Sequence, residues 1–155
     1  MLDGSKASSA ETNNFSALEI DLLGREYRSY FLPNMSFHHE LKQLADGNYL
    51  ALATDYTKST VNDVVVEFDS DSGEVVRRWD MDVILARYGI ERLATPSYDL
   101  PMLSDDQGEY NENWFHANSA FYLEDEDCLI VSSRHQSAVF KIDCSTGSVV
   151  WSSRS

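Results

Sequence analysis

Residues 138–150, "AVFKIDCSTGSVV", align with residues 64–76, "VVVEFDSDSGEVV", without a gap. Each copy runs from β-branched and aromatic residues through a polar turn closed by glycine into a second β-branched run, which is the pattern of a β-hairpin. Asp69 corresponds to Asp143 and Gly73 to Gly147, a shift of 74. Further upstream "FHHE" (37–40) corresponds to "FHAN" (115–118), a shift of 78. The repeating unit is therefore larger than a hairpin. It holds four short strands and ends near a tryptophan, Trp79 in one copy and Trp151 in the other.

Working outward, "SFHHELKQLADGNYLALATDY" (36–56) reads as two strands around the hairpin signal Asp46-Gly47, and "VNDVVVEFDSDSGEVVRRWD" (61–80) as two more. "FHANSAFYL", "CLIVSSR", "SAVFKIDC" and "SVVWSSR" repeat the set. "SALEIDLLGREYRSYFLP" (16–33) reads as a strand pair turning at Gly24 and ending at Pro33. "DMDVILARYGIER" is expected to be a short helix with Asp80 or Asp82 near its start and Gly89 at its end. Residues 94–113, with two prolines, are expected to form a long loop.

Repeated four-stranded antiparallel units are the signature of β-propeller blades. The expected fold is thus all-β, an arc of a β-propeller with about two and a half four-stranded blades and one short helix between blades. Residues 1–15 form a disordered segment in this reading, 16–34 end one blade, 36–80 make the second, 81–113 the helix and long loop, and 114–155 the third. About ten strands are too few to close a ring, so both ends are expected to leave sheet faces or edges uncovered, which favours self-association.

Composition sets the outer limits. The 155 residues are 43% hydrophobic, enough for one folded domain with a modest core. A formal net charge of -14, with 12 scattered basic residues, argues against nucleic-acid partners and anionic membrane surfaces. No apolar run approaches the roughly 20 residues of a membrane span, so the chain is expected to be soluble. "MLDGSKASSAETNN" lacks the basic start and apolar centre of a secretory signal, which implies either a cytoplasmic protein or a piece without its true beginning. If strands 128–134 and 138–144 join through the three residues His135 to Ser137, Cys128 lies opposite Cys144. That pairing leaves open a cross-strand disulfide or two small buried thiols.

The residues that a plain sheet does not need are His38, His39, His116, Asn118 and Arg134. In a propeller the first strand of each blade lines the central channel. Period-two alternation puts His116 and Asn118 on one face, pairs His38 with Glu40 and turns His39 away. Arg134 ends the second strand of the last unit, where its guanidinium can hold a tetrahedral oxyanion through several donors. His135 falls in the turn and is expected to face solvent. A metal site from His38, His39, His116 and Glu40 fits no standard zinc spacing. "DSDSGE" (69–74) and "EDED" (124–127) are better explained as turns than as a calcium loop or an acidic site. No Gly-rich phosphate loop is present, and no cofactor is implied.

"NWFHANSAFYLEDEDCLIVSSRHQSAVFKIDCSTGSVVW" closely resembles the corresponding part of the bacterial arylsulfate sulfotransferases, which do not use PAPS. "FHHELKQLADGNYLAL" and "LEIDLLGREYRSYFLP" resemble the segments before it, so the likeness runs from about residue 16 onward. It implies a six-bladed propeller that moves a sulfuryl group from a phenolic sulfate ester to a phenolic acceptor, by a ping-pong route through a sulfated histidine. His116 and Asn118 of "FHANS" and Arg134 of "SSRHQ" would then be site residues, with one histidine of "FHHE". Repeat alignment favours His38 for the channel, with His39 left open. In such a family the sulfated histidine lies on a later blade, and a signal peptide and an N-terminal β-sandwich precede the ring. The resemblance therefore implies a periplasmic or extracytoplasmic protein whose remaining blades partner this segment, and a segment inactive by itself. The competing expectation is a non-catalytic propeller segment that binds a ligand or another protein.

Overall fold

The computed structural model describes residues 16–90 and 112–154. Among these residues ten strands form three antiparallel sheets of two, four and four strands. The first pairs β1 (Ala17–Ile20) with β2 (Glu26–Tyr30). The second runs β3 (Met35–Gln43), β4 (Tyr49–Asp55), β5 (Val64–Phe68), β6 (Val75–Asp80), each strand beside its predecessor. The third repeats that meander with β7 (Ala117–Leu123), β8 (Cys128–Ser133), β9 (Ala138–Asp143) and β10 (Val149–Arg154). The expected disordered segment 1–15 and nearly all of the expected loop 94–113 lie outside the described residues.

The turns follow from side chains that stand in for missing backbone partners. Asp69 Oδ1 accepts from the backbone N–H groups of Asp71 (3.0 Å) and Ser72 (2.7 Å), and Gly73 follows at φ +72°. In the repeat, Asp143 Oδ1 accepts from Thr146 N (2.8 Å) and Gly147 sits at φ +65°. An L side chain is disfavoured at that φ, which accounts for the glycine in both copies. "EDED" becomes a single 3-10 turn, Glu124–Glu126, closed by Asp127 at φ +45°.

The middle sheet is covered on both faces. Leu50 and Leu52 of β4 and Val65 of β5 point into one core with Leu129, Val131, Phe140 and Ile142 of the third sheet. Their neighbours Ala51, Ala53, Val64, Val66 and Phe68 point the opposite way, into a second core with Tyr30 and Leu32. This explains why "VVVEF" is apolar nearly throughout, whereas β9, open on one face, alternates buried and half-buried residues. The expected helix is α1 (Met81–Ala86), which seals an edge of the first core with Met81, Ile84 and Leu85 before Gly89 turns the chain at φ +64°. Polar ties add register between sheets. Ala120 N donates to Glu40 Oε2 (2.9 Å), Arg77 reaches Asp127 Oδ1 (2.9 Å), and Trp79 Nε1 donates to the Cys144 carbonyl (3.2 Å).

One expected register is wrong by a residue. Cys128 pairs with Asp143, not Cys144, because Ser133 pairs with Ala138 and four residues make the turn. That turn is held by Gln136, whose backbone N–H donates to Ser133 Oγ (3.2 Å) and whose Nε2 donates to the Trp114 carbonyl (3.1 Å), and it ends with Ser137 at φ +46°. Residues adjacent along a strand face opposite sides, so the expected cross-strand pairing of the two cysteines is lost. Both cysteines are free thiols, and burial with the nearby Asp127 charge pushes the Cys144 thiol up to about 12.

Phe140 has no exposed surface and fills the space between the two four-stranded sheets. Phe140→Ala is expected to cost about 3–5 kcal/mol, read as a lower urea midpoint, whereas the half-exposed Val150→Ala changes stability by about 0.5 kcal/mol or less.

Candidate functional site

The four histidines of the chain form a continuous line where the second and third sheets meet. Ring centroids are 5.3 Å apart for His38 and His39, 5.2 Å for His39 and His116, and 5.2 Å for His116 and His135. The central contact is polar. His39 Nε2 lies 3.1 Å from His116 Nε2, although 77 residues separate them.

A β-bulge makes that contact. Phe37 pairs with Ala53 and Leu41 with Ala51, so His38, His39 and Glu40 together span Leu52 alone. Such an insertion breaks the alternation of the strand and re-aims side chains. His39, at φ +55°, reaches His116, while His38 is largely buried. Alternation alone would have turned His39 away. The ladder also revises the repeat alignment. Val64 and Ala138 pair with Ala53 and Ser133, which pair with Phe37 and Ala117, so Phe37 is equivalent to Ala117 and not to Phe115.

His116 sits just before β7 at φ +50°, in the left-handed region that His tolerates better than most residues. Two such positions, His39 and His116, cost on the order of 1–3 kcal/mol each. The backbone around His116 is tied on both sides. Its carbonyl accepts from Arg134 N (3.0 Å), and the next residue, Ala117, donates to the Asn62 carbonyl (2.9 Å). Ser133 Oγ donates to the Phe115 carbonyl. His116 Nδ1 lies 2.8 Å from the Asn113 amide nitrogen and 3.4 Å from that of Asn62.

Beside this segment lies a largely half-buried charge cluster in which Asp63 is buried. Lys58 Nζ approaches Asp80 Oδ1 (2.7 Å), Asp82 Oδ1 (2.8 Å) and Asp63 Oδ1 (3.3 Å). Asp63 also accepts from Trp114 Nε1 (3.0 Å). Burial works against the Lys58 ammonium, but Asp63 and the other two carboxylates outweigh it and raise its pKa above the usual lysine value. Burial pushes the Asp63 carboxyl up against the pull of Lys58. The cluster joins the strand-entry residues 58–63, the start of α1 and the "NWFH" segment.

The remaining expected residues are placed as follows. The Arg134 side chain is exposed and makes no ion pair among the described residues, while its backbone holds His116. Asn118 is exposed in the irregular step between Ala117 and Ser119 and shares no hydrogen bond with the histidines among the described residues. Glu40 pairs with Lys42 (2.7 Å) rather than with a histidine. His135, expected to face solvent, is half-buried: its Nδ1 donates to the Asn113 carbonyl and its ring packs on His116. Asn62, Asn113 and Thr54 were not singled out from sequence. The signal available was the Asn-Asp step of "VND", a residue pair that tolerates left-handed backbone, and Asn62 has φ +57°.

A metal fits this donor set poorly. Ligating histidines give their second ring N–H most often to a carboxylate or backbone carbonyl, whereas His116 Nδ1 lies against the side-chain amides of Asn113 and Asn62. Among the described residues, no group of three or more His, Cys, Asp or Glu is placed to hold an ion. No described helix is long and apolar enough to cross a membrane.

The model of the family described as Arylsulfotransferase (ASST) matches residues 5–153. No curated protein matches the chain.

His38 generates a pH dependence. Burial, then the neighbouring His39 and His116, holds its pKa down to about 3 from an ordinary 6.5. The Ala53 carbonyl opposes this weakly, and neither ring nitrogen has a well-formed hydrogen bond. The unfolded chain takes up this proton below about 6.5 and the folded chain only near 3, so stability is lost as pH falls between those limits. Urea denaturation at pH 7 and pH 4.5 is expected to show a loss approaching about 1.4 kcal/mol per pH unit from this ring. The His38→Leu variant should lose less stability over the same interval.

Proposed function

We propose that this chain, which belongs to the arylsulfotransferase family, carries one side of a site that moves a sulfuryl group from a phenolic sulfate ester to a phenolic acceptor. The supporting observation is the His39–His116 contact, made across two sheets by two residues in the left-handed region, with Arg134 hydrogen-bonded through its backbone to His116. A plain sheet junction has no need of that arrangement. Stacked sheets of two, four and four strands support the arc of a propeller, with 16–34, 36–80 and 114–155 as successive blades of a six-bladed ring.

In the proposed chemistry, a carrier histidine forms an S–N bond to the sulfuryl group as the S–O bond to the donor phenol breaks. The departing phenolate takes a proton from the His39–His116 pair in its protonated, cationic form, which leaves both rings neutral. In the second half the S–N bond breaks, the acceptor oxygen bonds to sulfur, and its hydroxyl proton returns to the pair. The transferring group spreads negative charge over its outer oxygens, which suits the guanidinium of Arg134 and the exposed amide of Asn118. His38, buried and neutral, is a poor candidate for proton exchange. The carrier histidine belongs to another blade in this reading, and the protein works outside the cytoplasm, as the family implies. No nucleotide or metal enters the scheme.

The test is a chromogenic aryl sulfate with phenol as acceptor. The 155-residue chain alone is expected to release nothing above background. In the protein extended to a whole ring, His116→Ala and Arg134→Ala should each lower turnover about a hundredfold or more. Wild-type rates in either variant would remove that residue from the site. Saturable aryl sulfate binding with no turnover in the extended protein would favour a non-catalytic ligand-binding propeller instead.

A further inference from the structure

We infer that Asn62, held by Thr54, is a positioning residue that sets the tautomer of His116, placing its proton on Nε2 and making this ring the donor in the His116–His39 contact. The inference deepens the sulfuryl-transfer reading and takes its chemical meaning from it, but its geometry stands separately.

Two ring nitrogens that meet at 3.1 Å need one proton between them. Which ring supplies it depends on what the far nitrogen of His116 faces. An asparagine amide can present either its oxygen or its nitrogen, so Asn113 alone, with Nδ2 at 2.8 Å from Nδ1, does not decide the matter. Asn62 does. Its backbone N–H donates to Thr54 Oγ1 (3.1 Å), and the hydroxyl hydrogen of buried Thr54 has Asn62 Oδ1 as its acceptor (2.7 Å), a partner it would lose if the amide were turned over. With the amide oxygen engaged, Nδ2 is the group turned to His116 Nδ1, at 3.4 Å, and it can only donate. His116 Nδ1 is therefore an acceptor, and the proton of the neutral ring resides on Nε2.

The surroundings keep this arrangement in place. Thr54 and Asn62 are buried, and the Asn62 carbonyl accepts from Ala117 N (2.9 Å). One residue thus grips the His116 segment by backbone and ring together. His39 Nε2 is the acceptor in turn, and its own proton is on Nδ1. Within the pair, His116 enters as a hydrogen-bond donor. His39, which is exposed, supplies the accepting lone pair, so its Nε2 takes up an outside proton only after this contact opens.

The experiment is nitrogen NMR of the chain labelled at histidine ring nitrogens, recorded above the titration range. The expected His116 signature is a protonated Nε2 and an unprotonated Nδ1. Asn62→Asp puts an accepting oxygen where the amide donor stood and should move the proton to Nδ1. Thr54→Val frees the amide to turn and should give mixed tautomers, which Thr54→Ser should restore. A wild-type ring protonated on Nδ1, or a folded Asn62→Asp chain still protonated on Nε2, would overturn the inference. The wild-type spectrum decides by itself if a substitution unfolds the chain. Failure of the activity assay with the expected tautomer present would count against the sulfuryl-transfer reading alone.

Discussion

Burial of β4 and β5 on both faces is the constraint from which the rest of the molecule follows. Two adjacent strands send Leu50, Leu52 and Val65 one way and Ala51, Ala53, Val64, Val66 and Phe68 the other. A sheet so covered has to be sandwiched between two others. The third sheet then packs with Val131, Phe140 and Ile142, which are the counterparts, through the ladder, of Ala51, Val66 and Phe68. Each sheet therefore offers one face backward and the other forward. The first strand of one unit comes to lie near the first strand of the next, and that proximity brings His39 to His116.

The polar interior beside these cores is costly, and its location is informative. A lysine with three carboxylates is not a stability device by default, because desolvation offsets much of the attraction. Its geometric effect is clear, since Lys58, Asp63 and Trp114 fasten the entry to β5 against the segment leading into β7. Asn62 lies next to Asp63, and His116 two residues after Trp114. The cluster thus anchors the two backbones whose side chains meet at the His116 ring, and it does so where strained φ values would otherwise relax.

Much of the fold was legible because it rests on local signals. Asp69-x-x-x-Gly73 and Asp143-x-x-x-Gly147 announce the same turn twice, and the intervening β-branched runs are too short and too apolar for helix, so strand order and the four-strand unit followed. His116 and Arg134 stood out because a sheet does not ask for them, and the family match over residues 5–153 agrees with the resemblance that those segments carried. What failed did so where a ladder gains or loses a residue. The four-residue turn at 134–137 moved Cys128 opposite Asp143, and the bulge at 38–40 brought His39 to His116 where simple alternation turned it away.

By itself, then, the sequence determined the all-β class, the repeating unit and the turns, and it picked out the histidines of the candidate site, since each depends on near neighbours along the chain. Only the tertiary structure decided which histidine meets which, that His135 joins the line instead of facing water, and that Thr54 and Asn62 govern a ring 54 residues from Asn62. The physical reason is that bulges and hydrogen-bond polarity are settled by partners on other strands. A one-residue change in pairing turns a side chain to the opposite face, and an amide acquires its direction from the donor beside it.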